Sequence, residues 1–140
     1  MKRRDIVKAG VALGVGLTVG TSVLAKAYPW EGKEPFPVKG KVTVAEFGAS
    51  WCAGCPEMEK IFYKVRDYYG DRVAMVYVDI DKYAGIEEKY LVERMPSQRF
   101  FDVHGEPIWH HNGALTEDEL KERIEILLKA AEDEKTGKKG

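Results

Sequence analysis

Apolar and polar positions follow two periods along this chain. Val42 to Phe47 is a run of β-formers interrupted by one charge, Glu46, and reads as a buried strand. Over Glu57 to Tyr69, the residues Met58, Ile61, Phe62, Val65 and Tyr69 recur at helical spacing, and Gly70 supplies the stop. Val73 to Ile80 is the clearest strand, and Tyr83 to Val92 is expected to form a second, short helix. Gln98 to Val103 and Pro107 to His111 predict two strands joined by the tight turn His104-Gly105-Glu106. Pro107 marks the last of them as an edge strand, because proline has no N–H to donate to a ladder. Thr116-Glu117-Asp118-Glu119 has the form of a capping box, and a final helix follows with Leu120, Ile124, Leu127, Leu128 and Ala131 on one face.

Both ends depart from this pattern. Lys2, Arg3 and Arg4 precede an uncharged, mostly apolar run from Ala9 to Leu24, and Ala25-Lys26-Ala27 is a small-x-small cleavage pattern. Residues 1–27 are therefore expected to be an export signal. Arg3-Arg4-Asp5-Ile6-Val7-Lys8 resembles the twin-arginine signal of bacteria. The alternative is an uncleaved membrane anchor, although a run of 16 residues with four glycines is short and weakly apolar for a spanning helix. In either case the expected location is the periplasm or the outer face of the cytoplasmic membrane, where a disulfide can persist. Residues 28–41 carry Pro29, Pro35, Pro37, Gly32 and Gly40 and are expected to be a linker or loose segment. The folded domain is expected over 42–131, with a flexible charged tail over 132–140.

Composition narrows the function classes. At 140 residues one domain is the default, and an apolar fraction of 44% is ordinary for a globular chain. The chain carries 22 Lys and Arg against 23 Asp and Glu, and residues 1–27 hold five of the former and one of the latter. The remainder therefore has 17 positive against 22 negative groups, which is no surface for nucleic acid.

The chemistry gathers at Trp51-Cys52-Ala53-Gly54-Cys55-Pro56. Cys52 and Cys55 are the only cysteines in the chain, and they lie at a strand-to-helix junction. A Cys-x-x-Cys pair in that setting points to redox chemistry. Cys52 is expected in the first turn of the helix, where unpaired N–H groups and the positive dipole end favour a thiolate. Cys55, one turn on, can close a short disulfide loop and release a bound partner. The other readings are an inert disulfide or half of a zinc site, though structural zinc wants four ligands and there is no second Cys pair. Among the histidines, His110 and His111 would point to opposite faces of a strand and His104 sits in a turn, so they chelate poorly. No metal or other cofactor is expected.

From Val42 to about Ala131 the chain resembles the thioredoxin family. The resemblance rests on Trp51-Cys52-x-x-Cys55, on Met95-Pro96-Ser97 at the place of the family's cis-proline, on Lys89-Tyr90-x-Val92 before it, and on Gly105 and Gly113 at turn positions. It implies an α/β, thioredoxin-like fold: a central mixed β-sheet flanked by helices, here with a shortened N-terminal βα unit. It also implies a cis peptide at Pro96 facing the cysteines, with the Met95 backbone free to pair with an extended substrate. Trp51 is expected to flank the pair as part of the partner surface. Glu46 falls where the family keeps a buried acid, six residues before Cys52. Desolvated there, it would have a raised pKa and could accept the Cys55 proton. The other reading of Glu46 is a strand-end carboxylate that reaches solvent. Four positions depart from the family's pattern: Ala53-Gly54 replaces Gly-Pro, Lys60 replaces a helix proline, and Tyr77 stands where a lysine neighbours the buried acid.

The expected function is thiol–disulfide exchange in the cell envelope. Cys52, Cys55 and Glu46 would be the catalytic residues, and Trp51, Met95 and Pro96 would bind substrate. The reducing direction is favoured, because no histidine lies between the cysteines to stabilise the thiolate. The partners implied are client proteins with disulfides or thiols and a membrane electron-transfer protein that re-reduces the pair; a monomer is expected. Two alternatives come from other classes: a copper metallochaperone, since soft thiolates favour Cu(I), and a non-catalytic module that only binds clients.

Overall fold

The computed structural model describes residues 36–137. The expected signal over 1–27 and most of the expected linker lie outside the described residues. The elements, in order, are β1 (Val42–Gly48), α1 (Cys55–Tyr69), β2 (Val73–Asp79), α2 (Ile86–Lys89), β3 (Ser97–Phe101), β4 (Pro107–Asn112) and α3 (Glu117–Lys135), with a 3-10 turn at Gly70–Arg72. The strands form one mixed sheet in the order β2-β1-β3-β4. β1 runs parallel to β2 and antiparallel to β3, and β4 closes the far edge antiparallel to β3. Pro107 thus opens an edge strand, as its missing donor requires.

Strand β1 is buried at every position, because it is central and covered on both faces. On one face Val42, Val44, Val73, Met75 and Phe100 pack against Met58, Phe62 and Val65 of α1 and against Leu120 and Ile124 of α3. Met58, Phe62, Leu120 and Ile124 have no exposed surface, and burial of each such side chain stabilises the fold by roughly 1.5–3 kcal/mol. On the other face Ala45, Phe47, Val76, Val78 and Phe101 pack with Phe36 and Ile86.

Phe36 corrects the expectation of a loose segment up to residue 41. Its ring is buried, stacked on Tyr90 at 4.9 Å and edge-on to Phe47 and Phe101. Tyr90 Oη donates to the Phe36 carbonyl at 3.2 Å, and the Gly40 amide donates to Val103 at 2.8 Å. Phe36 and Tyr90 together cover Phe47 and Phe101 on the second face of the sheet.

Two helices differ from the periodicity. The expected helix over 83–92 shrinks to the four residues of α2, because Gly85 at its start and Leu91 just after it both take positive φ. The apolar side chains at helical spacing there are spent on a turn that faces the core. In the other direction, α3 runs four residues past Ala131, so residues 132–135 are helix rather than flexible tail. Ion pairs hold this end: Lys129 to Asp133 on the helix, and His104 of the β3–β4 turn to Glu134, each at 2.8 Å. At the other end the capping box is formed, with Thr116 Oγ1 accepting from the Glu119 amide and Glu119 returning to the Thr116 amide.

Candidate active site

The site lies where β1 ends and α1 begins. The helix starts at Cys55 with Pro56 in its first turn, where a missing N–H costs nothing and a fixed φ suits the helix. Cys52 therefore lies ahead of the helix, not in its first turn as expected. It sits in a turn in which its amide donates to Ala49 and its carbonyl accepts from the Cys55 amide. A Cys52–Cys55 disulfide closes this turn across a Cα–Cα distance of 5.4 Å. The Cys52 sulfur thus lies next to the first residue of α1, close enough for the positive helix end to act on it when the pair is reduced.

The surroundings grade from open to closed. Trp51 is 65% exposed, and its Nε1–H donates to Asp81 Oδ1 at 3.3 Å. Cys52 is 9% exposed and Cys55 only 3%. A groove runs past the pair, lined by Trp51, Cys52, Gly54, Val92, Arg94 and Met95. The Met95–Pro96 peptide is cis, and Pro96 Cδ lies 3.6 Å from where a Cβ on Gly54 would be. The proline thus lies directly against the cysteine loop. Its carbonyl accepts from the Gly113 amide at 2.7 Å, which ties this segment to the end of β4.

Glu46 lies beneath. It is 1% exposed, so the solvated alternative does not hold. Oε1 accepts a hydrogen bond from Gln98 Nε2 at 3.1 Å, while Oε2 is buried with no hydrogen-bond partner among the described residues. Burial pushes the carboxyl well above the usual carboxylate range, and the Gln98 hydrogen bond opposes that rise in part. Tyr77 sits beside Glu46 on β2. Its phenol is pushed up to about 12, chiefly by burial and then by the negative charges of Glu59 and Glu46. A Cβ on Gly48 would collide with the Tyr77 hydroxyl, which explains the small residue at the end of β1.

The structure thus brings Trp51, Cys52 and Met95 to one groove, packs Pro96 against the cysteine loop, and sets Glu46 on the strand that leads into the site. The three histidines are scattered: His104 pairs with Glu134, His110 is exposed, and His111 turns inward to Gln98. Among the described residues no three His, Cys, Asp or Glu side chains gather as a metal site.

Sequence reasoning missed two residues of β3. Gln98 is fully buried against Glu46, and Arg99 is 7% exposed. Arg99 donates to the carbonyls of Tyr90 at 3.1 Å and Leu91 at 2.8 Å and to Ser97 Oγ at 2.6 Å. Its guanidinium caps the end of α2 and braces the approach to Pro96. Burial pulls its pKa down, and the charge of Glu93 acts in the opposite sense. Both residues stand in a five-residue strand buried throughout, and polar side chains in such a strand are the signal to look for. Arg99→Met is expected to cost about 1–3 kcal/mol for carbonyls left without donors. Urea unfolding checks this; an unchanged midpoint would mean that water replaces the guanidinium.

Comparison with known proteins now adds to this geometry. A model of the Thioredoxin family matches residues 36–126. Chloroplastic thioredoxin Y of Oryza sativa subsp. japonica is 33% identical over 91 residues, covering 65% of this chain and 54% of that protein. Chloroplastic thioredoxin Y1 of Arabidopsis thaliana is 36% identical over 89 residues, 64% of this chain and 51% of that protein. The chain spans about half the length of these curated relatives. Among solved structures, the thioredoxin of Malassezia sympodialis superimposes with a TM-score of 0.56 at 31% identity, over 64% of this chain and 76% of that one. The expected α/β fold, a mixed four-stranded sheet flanked by helices, is thereby borne out.

Proposed function

The chain belongs to the thioredoxin family, and from that premise we propose that it is a thiol–disulfide oxidoreductase that reduces disulfides of client proteins outside the cytoplasm. The observation that carries this reading is the Cys52–Cys55 disulfide set against the cis-Pro96 segment, at the end of the strand that bears buried Glu46. In the reduced state Cys52 thiolate attacks one sulfur of a client disulfide. A Cys52–client bond forms, the client's S–S bond breaks, and the other client sulfur leaves as a thiolate that takes a proton from water. Cys55 then gives its proton to Glu46, and its thiolate attacks Cys52 Sγ. The mixed disulfide breaks, the second client thiolate departs, and Cys52–Cys55 is left oxidised. Two electrons have passed from the pair to the client.

Trp51 and Met95 form the walls against which an extended client segment lies. The reducing direction follows from Ala53-Gly54, which supplies no cation to hold the Cys52 thiolate and so does not favour the reduced pair. A reductase in an oxidising compartment must itself be re-reduced, so a membrane electron-transfer protein is its partner. The envelope location rests on the arginine pair, apolar run and Ala25-Lys26-Ala27 of the leader.

Cys55→Ala tests the reading. It removes the resolving thiol and leaves the attacking one, so covalent complexes through Cys52 should accumulate in the envelope and dissolve in reducing agent. Proteins that need free thiols among the trapped clients support reduction, and newly secreted multi-cysteine proteins would reverse the direction. A folded, exported Cys55→Ala protein that traps nothing more than a Cys52→Ser, Cys55→Ala control would refute exchange with protein clients.

A further inference from the structure

One polar row crosses the whole sheet. Tyr77 on β2, Glu46 on β1, Gln98 on β3 and His111 on β4 are successive cross-strand partners. Directly opposed residues share a face, and here it is the face that packs on α1 and α3. Apart from Asp79 at the end of β2, the rest of that face is apolar, so four polar side chains in register need an account. Their burial grades outward: Glu46 and Gln98 are closed off, and His111 is half-exposed on the edge strand.

Gln98 is the hinge of the row. Its Nε2 donates to Glu46 Oε1 and to the Gly113 carbonyl, both at 3.1 Å. Its Oε1 lies 3.0 Å from His111 Nδ1. An amide oxygen has no hydrogen to give, so Nδ1 is the N–H of that imidazole and donates. The amide's orientation is fixed by two acceptors, because turning it over would set its oxygen against a carboxylate and a carbonyl. The result at Glu46 is asymmetric, with Oε1 engaged and Oε2 open.

We infer that Gln98, held in place by His111, is a positioning residue for the resolving step, engaging one oxygen of Glu46 so that the other exchanges the proton with Cys55. This rests on the reading of Glu46 as the base that serves Cys55. The proton passes from Cys55 Sγ to Glu46 Oε2, the Cys55 thiolate attacks Cys52 Sγ, and the client sulfur leaves with the bonding electrons, so no further reactant is needed. The amide favours the ionised carboxyl, which burial alone opposes. A base that stayed protonated could not take the proton. The titratable groups around the row are Tyr77 and Asp79 on β2, Glu59 and Tyr63 on α1, and Glu119 on α3, whose carboxylate feels Arg123 and His111; Cys55 lines the same cavity as Tyr77.

The experiment follows the reduced, folded protein in stopped flow with excess 5,5′-dithiobis(2-nitrobenzoate) as the disulfide. The first thionitrobenzoate released reports attack by Cys52, and the second reports resolution by Cys55. Gln98→Leu should move the pH midpoint of the second phase up by about one unit, roughly a tenfold slowing near neutrality, with the first phase unmoved. His111→Phe should shift it in the same direction, and His111→Asn, whose amide N–H can stand in for Nδ1–H, should restore it. In a Glu46→Gln background Gln98→Leu should change neither phase further. If Gln98→Leu leaves the midpoint in place while Glu46→Gln alone slows the second phase, or if the Gln98→Leu shift persists without Glu46, Gln98 has no such role. If Glu46→Gln itself leaves the second phase untouched, the reading of Glu46 as base fails, and this inference with it. Should Gln98→Leu not fold, the His111 pair decides: no shift in His111→Phe, or none restored by His111→Asn, overturns the proposal.

Discussion

Cys52→Ser is expected to reduce insulin no faster than dithiothreitol alone, while Cys55→Ser keeps the first chemical step and loses the second. The asymmetry comes from position. Cys52 opens on the groove beside exposed Trp51, whereas Cys55 lies 3% exposed at the first position of α1. A client sulfur can approach Cys52 from the groove, whereas Cys55 offers it little surface. Serine's hydroxyl does not ionise near neutral pH, so its presence at 52 leaves no nucleophile. The same geometry predicts which thiol titrates first. The helix end favours an anion on the Cys52 sulfur, so alkylation of the reduced protein should be faster at Cys52, with a midpoint below the free-thiol value of roughly 8.5. Faster alkylation of Cys55, or reductase activity surviving in Cys52→Ser, would reverse the assigned roles.

Glu46→Gln is expected to act in opposite directions on stability and on turnover. Burial raises the Glu46 pKa, so the carboxyl is harder to ionise in the folded chain than in the unfolded one. Its contribution to stability is therefore greatest below the unfolded value near 4.5 and is lost as pH rises through the folded pKa. Glutamine keeps the shape and the acceptor for Gln98 and never ionises. Variant and parent should be equally stable in acid, and the variant more stable at neutral pH, by about 1.4 kcal/mol for each pKa unit by which burial has raised the carboxyl. Denaturant melts at two pH values measure this difference. Turnover should fall, because loss of a general base typically costs about 10²-fold or more in the step it serves. That loss belongs to release of the mixed disulfide and not to its formation. A variant that is stabilised but resolves at the parental rate would make Glu46 a buried charge without a part in the chemistry.

What was legible in the sequence is what is local. β1 and β2 follow from unbroken apolar runs, the edge character of β4 from Pro107, the cap of α3 from Thr116 and Glu119, and the cysteine turn from its spacing. What was not legible depends on distant partners. Gln98 gains its meaning from Glu46, 52 residues away, and Arg99 from carbonyls that exist only once α2 has ended early. Phe36 looked like part of a proline-rich linker until the aromatic faces of Tyr90, Phe47 and Phe101 were assembled around it. The length of α3 was masked by its charges, which read as a solvated tail but form pairs along and across the helix. The expected helix over 83–92 failed for the converse reason: the spacing was right, but positive φ at Gly85 and Leu91 does not fit a longer helix.

The central place of β1 also sets a clock. A strand paired along both edges and buried at every residue exchanges its amide hydrogens only when the whole fold opens, whereas an exposed strand paired on one side frays alone. Glu46 hangs from a central, fully buried strand, and His111, at the outer end of the same row, from an exposed edge strand. Amide hydrogen exchange is therefore expected to separate the two ends of the row, slow along β1 and faster along β4.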